Sequence, residues 1–301
     1  MHPVLRWVVT VLGVLAGLVL LLMLFIFTAS NNRLNRVYEF PLAEIVMLDD
    51  STAIENGRHL AITRGCVDCH AYDFGGYLVA DDPALGYVAG PNLTTGKGGL
   101  PITFSDEDFI RAIRHGVGTD GRGLVVMPSE EYYYLGDEDL ASLIAYIRSL
   151  PPVDREFPKS KLRFVGRALL ALNKAPFISA EHIAHRQPHP GAPPKGPTKA
   201  YGAYVAYGCT GCHGQEFSGG PIPIGPPDWP PATNLTPDQA TGLGTWTEAD
   251  FFHAMRDGIR PDGSEINPIM PWKQFGQMTD DELTALWLYL SDLPAKAEGG
   301  R

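Results

Sequence analysis

The sequence predicts an all-α chain: an N-terminal transmembrane helix followed by two tandem helical domains of one kind. Three observations predict it. The stretch Trp7–Phe27 contains no charged residue. A set of short motifs recurs at one constant offset, Cys66 returning as Cys209. Apolar residues in each half fall at helical spacing, and no convincing strand is seen.

As a helix, residues 7–27 span roughly 31 Å, about one bilayer core. A cleaved signal peptide has a shorter apolar stretch and a small-residue cleavage site, which Thr28-Ala29-Ser30 matches only weakly. An uncleaved anchor is the preferred reading. Arg6 precedes the span while Arg33 and Arg36 follow it, so flanking charge does not choose a topology.

The repeat organises the rest. Cys66-Val67-Asp68-Cys69-His70 returns as Cys209-Thr210-Gly211-Cys212-His213. Met127-Pro128 returns in the same register as Met270-Pro271, and Pro151 as Pro294. Between these anchors the register is shorter by one position. There Asn92-Leu93-Thr94 returns as Asn234-Leu235-Thr236. So does Phe109-x-x-Ala112-x-Arg114-x-Gly116, as Phe251-x-x-Ala254-x-Arg256-x-Gly258. Each half therefore predicts a first helix (53–64; 199–206), the Cys-x-x-Cys-His, a Gly/Pro-rich loop and a capped helix. Ser105 with Asp108, and Thr247 with Asp250, supply the caps. A loop with Met-Pro follows, and a last helix covers 137–149 or 280–291. Its start is acidic, as the helix dipole prefers, and Pro151 or Pro294 lies just beyond its end. These signals divide the chain into an anchor (7–27), a first domain (50–152), a Pro-rich basic linker (153–198) and a second domain (199–295).

Residues 152–198 carry 8 Lys/Arg against 3 Asp/Glu, whereas 37–151 and 199–301 have net charges of −11 and −7. Two acidic bodies are joined by a basic strap. The overall net charge of −10 excludes a nucleic-acid partner. Lys161–Leu172 reads as a short basic amphipathic helix, lying on a membrane surface or, preferably, packed on a domain. Gln187–Pro197, with five prolines, reads as an extended linker.

All four cysteines lie in the two Cys-x-x-Cys-His runs. Two thiols at this spacing can add to the two vinyl groups of one haem, and the adjacent His then reaches the iron. A zinc site needs further ligands nearby. A thiol redox pair needs a strand–helix setting. Met127 follows Cys66 at the same separation as Met270 follows Cys209. Two such runs, each with its matched Met, favour two haem c groups. Cys66, Cys69, Cys209 and Cys212 are then the attachment residues. His70 and His213 are axial iron ligands, with Met127 and Met270 as the sixth ligands. A thioether favours ferrous iron and raises the potential. Met255 is read as core, and Met23, Met47 and Met278 have no counterpart. His115 and His253 are read as surface residues. His59 lies on the first helix and His182, His185 and His189 in the linker, all without a ligand role.

On these motifs both halves resemble class I cytochrome c domains. The resemblance implies that the Pro91 carbonyl, in Gly90-Pro91-Asn92-Leu93, accepts a hydrogen bond from the His70 ring. In the second half Thr233 precedes Asn234 and Pro231 is displaced, which leaves that acceptor open. It also implies that the first and last helices cross, for which Gly57 or Gly202 against Tyr146 or Tyr289 is suited. The architecture is similar to membrane-bound dihaem cytochrome c subunits serving periplasmic dehydrogenases or terminal oxidases. Cytochrome subunits of gluconate and alcohol dehydrogenases usually carry three such motifs, so the count of two sets this chain apart.

The expected function is electron transfer, without substrate chemistry, between a redox protein donor and an acceptor such as a terminal oxidase. The alternative is a cytochrome subunit of a larger dehydrogenase or respiratory complex. A dihaem peroxidase ranks below both, because the paired Met residues leave no open iron position. Haem is attached outside the cytoplasm, so the expected location is the inner membrane with both domains on the periplasmic side.

Overall fold

A computed structural model describes residues 2–300 apart from 188, 190, 224, 226 and 227. Pro188 and Pro190 of the linker reading therefore lie outside the described residues. The order opens with α1 (Pro3–Leu34), α2 (Ser51–Thr63) and α3 (Cys66–His70). A hairpin of β1 (Tyr77–Asp82) and β2 (Gly86–Gly90) follows, then α4 (Asp106–His115), α5 (Ser129–Tyr132) and α6 (Asp137–Ser149). The strap holds β3 (Lys161–Leu162) and α7 (Phe164–Ala171). The second half repeats the helical order of the first as α8 (Lys199–Ala206), α9 (Thr210–His213), α10 (Glu248–Asp257), α11 (Trp272–Phe275) and α12 (Asp280–Leu290).

The chain is mainly helical, as its periodicity predicts. The predicted caps form: Ser105 and Asp108, and Thr247 and Asp250, each make a reciprocal capping box. α4 and α10 both end on a left-handed glycine, Gly116 at φ 64° and Gly258 at φ 72°. The repeated Arg then ties each of these helices to the start of the last one. Arg114 donates to the Leu135 carbonyl at 2.7 Å and pairs with Asp137 at 2.8 Å. Arg256 donates to the Gly276 carbonyl and pairs with Asp280 at 2.7 Å.

First and last helices cross in both halves. A Cβ on Gly57 would strike the Ser142 carbonyl and lie 2.7 Å from Tyr146 Cβ. One on Gly202 would strike the Ala285 carbonyl and lie 2.8 Å from Tyr289 Cβ. Leu140, Leu143 and Ile144 of α6 and Leu283, Leu286 and Leu290 of α12 are buried beneath these crossings, in one apolar core.

The antiparallel hairpin departs from the strand-free expectation. Asp82 turns the chain by accepting from the backbone N–H groups of Ala84 and Leu85 at 2.8 and 2.6 Å. β3 adds to its far edge in the order β1-β2-β3. β1 is exposed along most of its length, so no apolar alternation marks it. The strap after α6 is no free tether at this point. Val153 and Arg155 lie against Asn92, and Leu162, Leu170, Ile178 and Ala180 form a second small core with Tyr38 and Val117. His115 is correspondingly buried, its ring nitrogen 3.1 Å from that of His185. The surface reading fails for His115 because the strap covers it. His253 is exposed and pairs with Asp257.

Gly57→Val is expected to destabilise the first domain by about 1–3 kcal/mol through overpacking. A lowered urea midpoint, followed by circular dichroism, would show it. An unchanged midpoint would mean that α2 and α6 do not cross here.

Candidate haem sites and the junction between them

Each Cys-x-x-Cys-His folds as a single helical turn, α3 or α9, directly after the first helix. The His carbonyl is bound by a glycine N–H, from Gly76 or Gly219, at 3.0 Å in both cases. His70 Nδ1 donates to the Pro91 carbonyl at 2.9 Å. His213 Nδ1 donates to the Thr233 carbonyl at 2.7 Å, which resolves the acceptor left open by the displaced Pro231. In both rings the bond fixes the tautomer that directs Nε2 away from the backbone. Burial lowers the pKa of His70, only partly offset by the Pro91 bond, so the ring is held neutral.

The Asn-Leu-Thr run explains its own recurrence. Asn92 Nδ2 donates to the Val153 carbonyl and Asn234 Nδ2 to that of Lys296, both at 2.7 Å. Each Asn Oδ1 accepts from the N–H of the Thr two positions on, at 2.9 Å. The middle Leu N–H donates to the carbonyl of Phe74 or Phe217, both at 2.8 Å. Those two Phe rings stand edge-on to Tyr146 and Tyr289, with centroids 5.7 Å apart in each half. One buried Asn thus locks the His-binding carbonyl to the chain that leaves the last helix. Its role and that of the repeated Arg were not read from the sequence, although their recurrence was visible.

Cys66, Cys69 and Cys209 are half-buried, and Cys212 is exposed. Burial, with Cys69 beside it, pushes the Cys66 thiol up to about 12. Burial pushes Cys69 to about 11 and Cys209 to about 12. Reactive thiol pairs have depressed pKa values, so this setting suits thioether formation better than thiol redox chemistry. Among the described residues no group of three or more His, Cys, Asp or Glu is placed to hold a metal ion. The zinc alternative therefore has no ligand set among them. Met127 and Met270 are half-buried against the same apolar core as Cys66 and Cys209. The Met127 carbonyl accepts from Ser179 Oγ of the strap at 2.7 Å. Met255 and Met278 are buried in the core.

Each attachment turn meets the other half at the domain junction, through equivalent positions. Asp68, inside the first Cys-x-x-Cys, accepts from Gln274 Nε2 at 2.9 Å. Gly211, inside the second, lies so close to the Glu131 carboxylate that a Cβ would strike it. Asp68 and Gly211, and Glu131 and Gln274, are related by the same offset that relates the two attachment motifs. So are Asp139 and Glu282. Asp139 accepts from Tyr204 Oη of the other half at 2.6 Å, and Glu282 lies 2.7 Å from His59 Nε2 and 3.7 Å from Arg64 Nη2. The Asp68–Gln274 and Gly211–Glu131 contacts are thus reciprocal in position and different in chemistry.

A small cavity at this junction is lined by Arg64, Glu131, Tyr132, Tyr134, Tyr204 and Tyr207. Tyr134 and Tyr207 stack across it with centroids 3.8 Å apart. Burial, with Glu130 beside it, pushes the Glu131 carboxyl up to about 8. Arg64 is buried, and neither Nη atom has a hydrogen-bond partner, the Glu282 carboxylate standing 3.7 Å from Nη2. A buried guanidinium so loosely paired has donors left for a further anionic group. The paired cysteines, the oriented imidazoles and this cation together fit a covalently held haem with its carboxylates.

The profile described as cytochrome c matches residues 54–151 and 198–294. The chain belongs to the cytochrome c family. Among its relatives, the fructose dehydrogenase cytochrome subunit of Gluconobacter japonicus is 30% identical over 271 residues, 83% of this chain and 54% of that protein. The alcohol dehydrogenase (quinone) cytochrome c subunit of Gluconacetobacter polyoxogenes is 43% identical over 94 residues, 29% of this chain and 20% of that subunit. A diheme cytochrome c-type protein of Cereibacter sphaeroides is 24% identical over 279 residues, 79% of this chain and 85% of that protein. The cytochrome c chain described here thus spans about half of the first relative and a fifth of the second. Counting motifs sets it apart from the alcohol dehydrogenase subunits, yet the alignment relates it to them over one domain's length.

For Glu282, burial alone would raise the pKa. The hydrogen bond from His59, with the charges of Arg64 and His59 and the Thr279 backbone N–H, instead brings it down to about 2. A carboxylate depressed on folding adds stability that is complete above its ordinary value of 4.5 and is lost as pH falls toward about 2. Acidification through that window is expected to loosen the domain junction, read as a larger radius of gyration by small-angle X-ray scattering. Glu282→Gln is expected to loosen it already at neutral pH and to respond less to acid. A junction equally compact in both proteins throughout would count against this role.

Proposed function

We propose that the chain carries two haem c groups and transfers electrons between them. Residues 50–152 and 199–295 each hold one, with 7–27 as an anchor in the inner membrane, 153–198 as the connecting strap and both haem domains on the periplasmic side. Cys66 and Cys69, and Cys209 and Cys212, form the thioether links. His70 and Met127 ligate the first iron, and His213 and Met270 the second. The haem supplies a one-electron couple when bound. The protein's own residues orient each imidazole through Pro91 or Thr233, exclude water by burial and place a positive charge, Arg64, between the sites.

The observation that carries this reading is the repeated attachment turn with its bound His, each packed at the junction against the other half. The contacts of Asp68 with Gln274 and of Gly211 with Glu131 support passage of an electron within one molecule. With both axial positions filled from the protein, no substrate reaction is proposed. The donor and the acceptor are redox proteins, the acceptor being a terminal oxidase or its equivalent.

A second reading is favoured by the relatives. Several are cytochrome subunits of dehydrogenases, of fructose, alcohol and gluconate. On that reading this chain is the cytochrome subunit of a larger periplasmic dehydrogenase or respiratory complex. Mild solubilisation followed by native electrophoresis separates the two, since a subunit migrates with its complex and a free carrier alone.

An optical redox titration of the purified protein tests the main reading. Two haems per chain and a ferric-state band from sulfur ligation are expected. Met127→His is expected to lower the potential of one haem and leave the other nearly unmoved. One haem per chain, or equal movement of both potentials, would overturn the assignment.

A further inference from the structure

The last turns of α1 are not free. Residues 4–25 are exposed almost throughout, but Ile26 and Ser30 are buried. Their cover is α7 of the strap. Arg167 Nη1 donates to Ser30 Oγ at 3.1 Å, and its guanidinium lies 5.3 Å from the Phe27 ring centroid. Arg33 donates from Nη1 to the Leu170 carbonyl and from Nε to Glu181 at 2.8 Å. α7 is therefore clamped beside residues 26–33, where the uncharged stretch of α1 ends.

That contact sets the height of α7. Trp7 and Phe27 lie roughly 30 Å apart along a helix, the thickness of a hydrocarbon core. A helix fixed beside Phe27 then sits at the level of the lipid headgroups. One face of α7 is used by the protein: Leu170 is fully buried, and Gly166 lets the Leu85 carbonyl approach. The other face is largely open. Phe164 is 54% exposed, Val165 39% and Leu172 52%. Residues 161–174 carry Lys161, Arg163, Arg167 and Lys174 and no acidic residue, within a chain of net charge −10.

We propose that α7 is an interfacial membrane helix. Phe164, Val165 and Leu172 enter the headgroup–acyl boundary, while Lys161 and Lys174 meet anionic lipid phosphates. Apolar residues beside basic ones on a short helix held at headgroup level suit that boundary. The strap thereby fixes the first domain against the bilayer, where a bare transmembrane helix would leave it to swivel. This rests on the reading of residues 7–27 as an uncleaved anchor.

The test uses the full, haem-loaded chain in bilayers of phosphatidylcholine, with and without phosphatidylglycerol. Photoreactive benzoylphenylalanine is placed at position 164 or, in a second protein, at 172. After irradiation, mass spectrometry of the 161–174 peptide reads what it has joined. Lipid adducts at both positions are expected, with higher yield in the anionic bilayer. Lys161→Gln and Lys174→Gln are each expected to lower the lipid-adduct yield in the anionic bilayer, by up to about fivefold. Adducts to protein alone, or none in either bilayer, would overturn the proposal. The intact mass of the mature chain is measured on the same sample. Loss of the whole uncharged N-terminal stretch would overturn the anchor reading, whereas an intact anchor with no lipid adduct would overturn the docking of α7 alone.

Discussion

The crossing of the first and last helix in each half is the constraint from which the rest is built. With no side chain at Gly57 or Gly202, the helix backbones approach until a Cβ would overlap a carbonyl of the partner helix. That approach buries the leucines of α6 and α12 and brings Tyr146 and Tyr289 against Phe74 and Phe217. Each Phe lies in the turn after the Cys-x-x-Cys-His, at positive φ, and accepts from the Leu of the Asn-Leu-Thr run. The carbonyl just before that run accepts from the His ring. The orientation of each imidazole is thus inherited, through three local contacts, from a helix crossing that needs glycine.

The junction builds two unlike environments from two like halves. Each attachment turn meets the short helix that follows the other half's Met, but Asp68 meets Gln274 whereas Gly211 meets Glu131. Asp139 is neutralised by Lys195 of the strap at 2.9 Å, and Glu282 by His59 and Arg64 of the first half. Arg64 has Tyr207 as its counterpart at the repeat offset, so the buried cation has no equivalent at that position of the second half. Were the proposed ligand sets equal, such unequal surroundings would still give the two haems unequal potentials.

Much of this was legible in the sequence. Helices that bury an apolar face declare themselves by spacing and caps, and α8 and α10 begin where Lys199 and the Thr247 cap place them. The resemblance found the Pro91 acceptor and the glycine crossing. What escaped the sequence has physical reasons. The hairpin is short, and its first strand is too exposed to alternate. The helices α5 and α11 are single turns. The junction pairs occupy repeat positions whose residues differ between the halves, so self-comparison hides them. His115 illustrates the same blindness from the other side. It has no counterpart because its partner, His185, belongs to the strap, which has none either.

The strap accounts for the remaining asymmetry. A flexible tether between two domains needs neither a core nor fixed hydrogen bonds. Residues 153–186 have both. They close the sheet through Lys161, form a second apolar cluster with Tyr38, and hold the Met127 carbonyl through Ser179. The same segment grips α1 through Leu170 and Glu181. The Met127 loop and the end of α1 are therefore fixed to one piece of chain. Lys296 closes the second half at the position Val153 takes in the first. The place of the second half is set by the junction and by Lys195 on Asp139. A basic segment inside an acidic protein thus has a structural reason. It faces both the end of α1 and the Met127 loop, and its charge is spent on Asp73, Asp81 and Asp139 and on the surface it presents beside α1.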